Sequence, residues 1–318
     1  MNAVLLISRI AYINVRKTVV HVIKGHWTRD GAGVRLYRVF GDPQIAEITD
    51  PFLLLDHFGS RNPDDYIMGF PWHPHRGIET VTYLLNGEVH HRDSTGNEGV
   101  IGPGDVQWMT AGSGIFHEEM PKPIKRITLN GDEVYDTEVN GFQLWINLPS
   151  RYKMKIPKYR NVLRKHIPIV ELDNGGRAVI IAGRIRASSY GVIEGPVNDL
   201  TIPIHYLDIQ LPEESTFNYE VSDGYTALIY MIDGEAHLDQ WHSARRGELI
   251  ILTRDGDEIT IRTDKKPARF LLMAGKPIEE PIAWYGPIVM NTWDEIRRAF
   301  NELRRGTFIK AKPEIQDY

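Results

Sequence analysis

His73 and His75 stand two residues apart in GFPWHPHRGIET, residues 69 to 80, with Glu79 four positions beyond His75. On an extended strand, residues i and i+2 leave the same face about 6.5 to 7 Å apart along the backbone, so two imidazoles can converge on one ion. Further along, GPGDVQWMTAGSGIFHEEMP, residues 102 to 121, repeats the spacing with His117 and Glu119, and Glu118 points the other way. Two such pairs on neighbouring strands make a four-donor pocket. Donors of nitrogen and oxygen suit Fe(II), Mn, Co, Ni or Cu better than Mg or Ca. On an octahedral ion they leave two positions for water, substrate or dioxygen. The competing reading is a closed tetrahedral zinc site.

Composition narrows the chemistry. The 318 residues contain no cysteine, which removes thiolate ligands, disulfides and cysteine nucleophiles together. A chain of this length can bury two cores, so no metal is needed merely to fold. Lys plus Arg number 37 against 42 Asp plus Glu, a formal charge of -5. That balance offers no overall basic field for direct nucleic-acid binding. The amino-terminal apolar run is interrupted by Arg9 and reads neither as a signal peptide nor as a membrane span, so a cytoplasmic protein is expected, with residues 1–16 a possible extension.

The elements that must position these side chains are short strands separated by Gly, Asp, Asn or Pro turns, a sandwich or barrel pattern that is all-β. One helix is expected over 292–305, with Asn291 or Thr292 as cap, Gly306 as stop, and Ile296, Ala299, Phe300 and Leu303 as its buried stripe. Residues 307–318 read as a loose tail. YLLNGEVH (83–90) and YMIDGEAH (230–237) match at an offset of 147, both reading as hairpins at Asn-Gly or Asp-Gly. The same offset aligns Gly77 with Gly224, and PGDVQWMT (103–110) resembles RGELIILT (246–253) at 143. The chain reads as a duplicated β-domain, 1–150 and 151–318.

The duplicate acts as an internal control. Under these offsets His73, His75 and Glu79 fall on Glu220, Ser222 and Thr226, while His117 and Glu119 fall on Thr260 and Arg262. The second copy keeps the turns and drops every ligand-type pair, so the pairs serve function rather than architecture. His90 reappears as His237 and reads as shared scaffold.

The segments PWHPHRGIET (71–80), HRDS (91–94) and PGDVQWMTAGSGIFHEEMP (103–121) resemble the cupin superfamily and, in detail, the pirin family; GPIVMNT (286–292) extends the resemblance toward the last helix. It implies two tandem cupin barrels with a carboxy-terminal helix packed over their seam, in a monomer. The first barrel would hold one metal, usually iron, through His73, His75, His117 and Glu119, and the second none. General cupins use the position of Glu79 as the acidic ligand; the pirin-type spacing favours Glu119, with Glu79 as its support.

The resemblance further implies quercetin 2,3-dioxygenase activity on a flavonol and dioxygen. Glu119 would be the catalytic base, and Phe70, Trp72, Phe116 and Trp145 would be candidates for the pocket wall. Two other readings stay open. One is a metal-binding, redox-responsive interaction protein without a physiological flavonol, for which KPIKR (122–126) is the basic surface feature and a regulatory protein the partner. The other is a stress-related cupin with a different natural substrate.

Overall fold

The computed structural model describes residues 15–318. The amino-terminal apolar run and nearly all of the 1–16 extension therefore lie outside the described residues. The two that are described dock on the second half: Val15 donates its amide to Asp257, 2.7 Å, and Arg16 pairs with Glu258, 3.2 Å.

Two β-barrels follow, as the strand pattern predicts. In the first, a sheet of eight strands includes Phe52–Ser60, Val139–Asn147, Ile78–Asn86 and Val106–Thr110, and faces a four-stranded sheet ordered Phe70–His75, Ile115–Lys122, Glu88–Asp93, Glu98–Ile101. The second barrel is a ten-stranded assembly centred on the long strand Thr226–His237.

The boundary expected at residue 150 is crossed in both directions. Val19–Lys24 forms the edge of the second barrel against Glu248–Leu252. Lys158–Val162 pairs with Val106–Thr110 in the first barrel, and Glu314–Asp317 adds to it in parallel. The expected loose tail is thus a strand, anchored further by the buried ring of Phe308. Backbone pairing between residues so distant in the chain leaves no local trace in sequence.

Asn86-Gly87 and Asp233-Gly234 are not hairpins. Ile78–Asn86 belongs to the large sheet and Glu88–Asp93 to the small one, so the chain bends from one sheet into the other, and Asp233-Gly234 lies inside one continuous strand. Only the glycines take positive φ, +83° and +77°, whereas the hairpin turn requires it at both residues. A Cβ on Gly234 would stand 2.0 Å from the Pro267 carbonyl oxygen, and one on Gly87 2.7 Å from Val139. These are corners where strands change sheets.

The large sheets of the two barrels face each other through one apolar cluster that joins Trp108, Phe142 and Tyr83 to Tyr206, Tyr230 and Leu271. Two of its polar side chains are paired across the interface, while the Tyr206 hydroxyl is buried without a partner. The Tyr83 hydroxyl donates to Asp208, 2.8 Å, and His57 sits between Tyr230 and Asn140, 2.9 Å to each.

The helix runs Trp293–Arg305 with Thr292 and Glu295 as a capping box and Gly306 in the left-handed conformation. Its stripe packs with Ile288, Met290 and Phe308 and reaches Phe116 of the first barrel, and Glu302 pairs with the buried Arg76, 2.8 Å. Its apolar seat is thus beside the strand carrying His73 and His75. A second, shorter helix that the sequence pattern did not signal, Pro43–Thr49, is capped by Asp42. Among the described residues no helix is long and apolar enough to cross a membrane.

Candidate metal centre

Strand Phe70–His75 pairs antiparallel with Ile115–Lys122, placing His73 directly opposite His117. The register slips just beyond, so that Glu119 faces Phe70, and Pro71 and Trp72 share the space opposite Glu118. A bulge of this kind re-aims side chains at the edge of a site. Gly77 ends the strand with φ +79°, and a Cβ there would stand 2.0 Å from the Val289 carbonyl oxygen. The glycine thus lets Ile288–Met290 lie against the histidine-bearing strand. The Lys153 ammonium holds both chains, reaching the carbonyls of Gly77 at 2.9 Å and Val289 at 3.0 Å.

The three histidines converge. One ring nitrogen of each of His73, His75 and His117 lies within 4.8 Å of the others, and the ring centroids are 4.4 to 5.1 Å apart. His73 Nδ1 lies 2.9 Å from the Pro71 carbonyl, and His75 Nδ1 lies 3.2 Å from that of Pro287. A carbonyl only accepts, so each Nδ1 donates, and the Nε2 of each ring is the nitrogen left to face the cluster. Both nitrogens of His117 are buried without any hydrogen-bond partner. Burial, followed by the charge of the neighbouring imidazoles, holds His75 and His117 well below the ordinary histidine pKa, so both are neutral at pH 7. Neutral rings with oriented lone pairs and an orphaned buried imidazole are the donor set a transition metal satisfies.

Glu119 stands beside this cluster rather than in it. Its carboxylate is 2.9 Å from the Thr82 hydroxyl and 3.5 Å from the Gln143 amide nitrogen, and burial raises its pKa against the opposing effects of His73 and Thr82. Glu79 is also buried, and both its oxygens are taken by Trp108 Nε1, 2.8 Å, and the Thr110 hydroxyl, 2.7 Å. His90 lies outside the cluster, bonded to Glu88 at 3.0 Å.

His73, His75 and Glu119 line a cavity of about 750 Å³. Of the four aromatic candidates, Phe70 and Trp145 line it, the latter with its ring 5.1 Å from His75. Trp72 instead lies exposed with Arg92 over its ring, and Phe116 packs on Phe308. The wall is completed by residues the motif reading passed over: Thr82, Gln143, Trp284, Tyr285 and the Arg38–Asp56 pair, 2.8 Å. Pro287, which orients His75, lies in the GPIVMNT segment; the others carry no spacing signal.

The Pirin family model matches residues 33–146, and that of the Pirin C-terminal cupin domain matches residues 206–309. The chain is 41% identical over 295 residues to a Pseudomonas aeruginosa protein named "Putative quercetin 2,3-dioxygenase", covering 91% of this chain and 97% of that one. It is 41% identical over 294 residues to a "Pirin-like protein" of Caulobacter vibrioides, covering 92% and 99%. The crystal structure of a quercetin 2,3-dioxygenase from Acinetobacter baumannii superposes with a TM-score of 0.82 at 34% identity, covering 92% of this chain and 99% of that chain.

Proposed function

This chain belongs to the pirin family, its two barrels being cupin domains, and we propose that the first is a metal-dependent dioxygenase acting on a flavonol of the quercetin type. The observation that carries the proposal is the convergence of three imidazoles, two of which, His73 and His75, line a cavity of about 750 Å³ together with the buried carboxylate of Glu119, while His117 stands buried behind them. That volume lies in the usual range for small-molecule sites. The names of the relatives supply the substrate class.

His73, His75 and His117 would hold the ion, with Glu119 as fourth ligand when its carboxylate turns from Thr82. We assign Fe(II) from the family resemblance, with Mn, Co, Ni, Cu and Zn as the competing ions. The metal supplies Lewis acidity and a common template for substrate and dioxygen. Glu119 takes the proton of the flavonol 3-hydroxyl, a role that suits a carboxylate whose proton affinity is raised by burial. Thr82 and Gln143 fix the carboxylate for that transfer. Phe70, Trp145 and Trp284 give the ring system an apolar wall and exclude water. Dioxygen adds across the heterocycle, the ring is cleaved and carbon monoxide leaves.

The alternative interaction role rests on KPIKR, where Lys125 and Arg126 are paired with Glu133 and Asp136 across the hairpin of Ile124–Ile127 and Glu133–Asp136. That pairing leaves Lys122 as the cation of the segment that forms no ion pair among the described residues. The test is metal content of protein purified without added metal, with quercetin turnover and carbon monoxide release followed before and after chelation. Iron-loaded protein that leaves quercetin intact in air, with no carbon monoxide, overturns the proposal.

A further inference from the structure

At one end of the contact between the barrels the sheets part around a cleft of about 420 Å³ that shares no residue with the metal cavity. Arg177, Gln210 and Arg269 lie directly opposite one another on three adjacent strands, Arg177 facing Gln210 and Gln210 facing Arg269. Their side chains therefore leave the same face of the sheet. Arg164, on the short turn Arg164–His166, closes the other side by lying over Gly104, where a Cβ would stand 2.4 Å from its side chain.

The charges do not cancel. Arg269 is matched by the fully buried Asp208, its Nε and Nη2 donating at 3.0 and 2.6 Å. Arg164 and Arg177 form no ion pair among the described residues, and Arg177 Nε is buried without an acceptor. None of the residues lining the cleft is acidic. Asp105, near Arg164, spends its carboxylate on the amides of Gly102 and Arg164 and does not line the cleft. A buried guanidinium nitrogen with no acceptor is costly, and an anion held beside it by the exposed Arg164 would satisfy it. The apolar side of the cleft, from Ile167 and Val179, accommodates an organic body.

We propose that this cleft binds a small oxyanion, a phosphate or short dicarboxylate of about two negative charges, clamped between the barrels by Arg164 and Arg177. Gln210 and Asn86 add neutral donors from either side.

The test is calorimetric titration of the full chain at constant ionic strength with inorganic phosphate, with succinate and with chloride as control. Saturable one-to-one binding of phosphate or succinate is expected, the preferred one identifying the source chemistry. Arg177→Gln and Arg164→Gln should each weaken it about ten-fold or more, with Arg177→Lys recovering part. Arg164 is exposed, so its variant reads the site even where Arg177→Gln fails to fold. The proposal is overturned if neither anion saturates the native protein, or if the Arg164→Gln protein binds as tightly as the native one.

Discussion

In the first barrel, paired strands set His73 opposite His117; in the second, the strands Thr216–Glu220 and Glu258–Arg262 set Asn218 opposite Thr260 and Glu220 opposite Glu258. Asn218 and Thr260 hydrogen-bond to each other at 3.0 Å, which satisfies polar atoms whose counterparts on His117 are left orphaned. The corners nevertheless coincide: Gly77 and Gly224 have φ of +79° and +80°, Gly87 and Gly234 +83° and +77°, Gly104 and Gly247 +87° and +85°. The second barrel is hollow too, with a cavity of about 1210 Å³ whose wall includes Asn218, Glu220 and Ser222. What recurs between the copies is what the backbone needs, and what differs is what the cavity does.

His117→Ala should have the largest effect on the first barrel. Removing the imidazole with no other partner should drop bound metal from near one equivalent to a small fraction, with turnover falling more than about 100-fold; mass spectrometry and a quercetin assay read both. Retained stoichiometric metal in this variant places the ion elsewhere. Glu119→Gln should separate the roles: metal largely kept through the histidines, and turnover lowered about 100-fold or more as proton transfer is lost. Equal loss of metal and turnover would make Glu119 chiefly a ligand.

The corners predict a smaller, matched effect in both copies. Gly234→Ala places a methyl against backbone at positive φ and should cost about 3 kcal/mol; Gly87→Ala, whose nearest neighbour is the Val139 side chain, should cost about 2 kcal/mol. Denaturant melts read the difference. A larger loss for Gly87→Ala contradicts the assignment of the tighter corner to the second barrel.

The legible parts of this protein were those fixed by local spacing. Alternation placed His73, His75 and His117 on facing strands, and Thr292, Glu295 and Gly306 marked the helix ends. Asn-Gly reads as a hairpin from sequence because the same dipeptide serves a reversal and a corner; only the sheet to which the next strand pairs distinguishes them. The linear offsets also slip by two residues at the strand pair that carries the histidines, since they set His117 on Thr260 while the structure pairs Glu220 with Glu258. Long-range pairing hid the exchanged strands Val19–Lys24 and Lys158–Val162, and it hid Pro287, whose carbonyl orients His75 from 212 residues away.

Where the barrels meet, a buried histidine makes the interface sensitive to acid. His57 of the first barrel accepts from the Tyr230 hydroxyl of the second and donates to Asn140, and burial lowers its pKa from 6.5 to about 4. Between those values the unfolded chain binds the proton and the folded one does not. Stability is therefore full above pH 6.5 and is lost as pH falls toward 4. This one group accounts for up to about 2 kcal/mol between pH 7 and 5. His57→Gln should melt with a correspondingly shallower pH dependence; an unchanged slope removes His57 from the acid response of the interface.

The smallest expected effect is the most pointed. Glu220 and Ser222 occupy the positions that the repeat sets against His73 and His75, and both are exposed at the mouth of the second cavity. Neither offers an imidazole, and the residues paired with them bring none. Glu220→Ala combined with Ser222→Ala should leave metal stoichiometry unchanged and turnover within about two-fold, since exposed polar substitutions away from special contacts shift stability by only about 0.5 kcal/mol. A drop in bound metal in this double variant would mean that the second barrel also holds an ion, and the division of labour between the copies would fail.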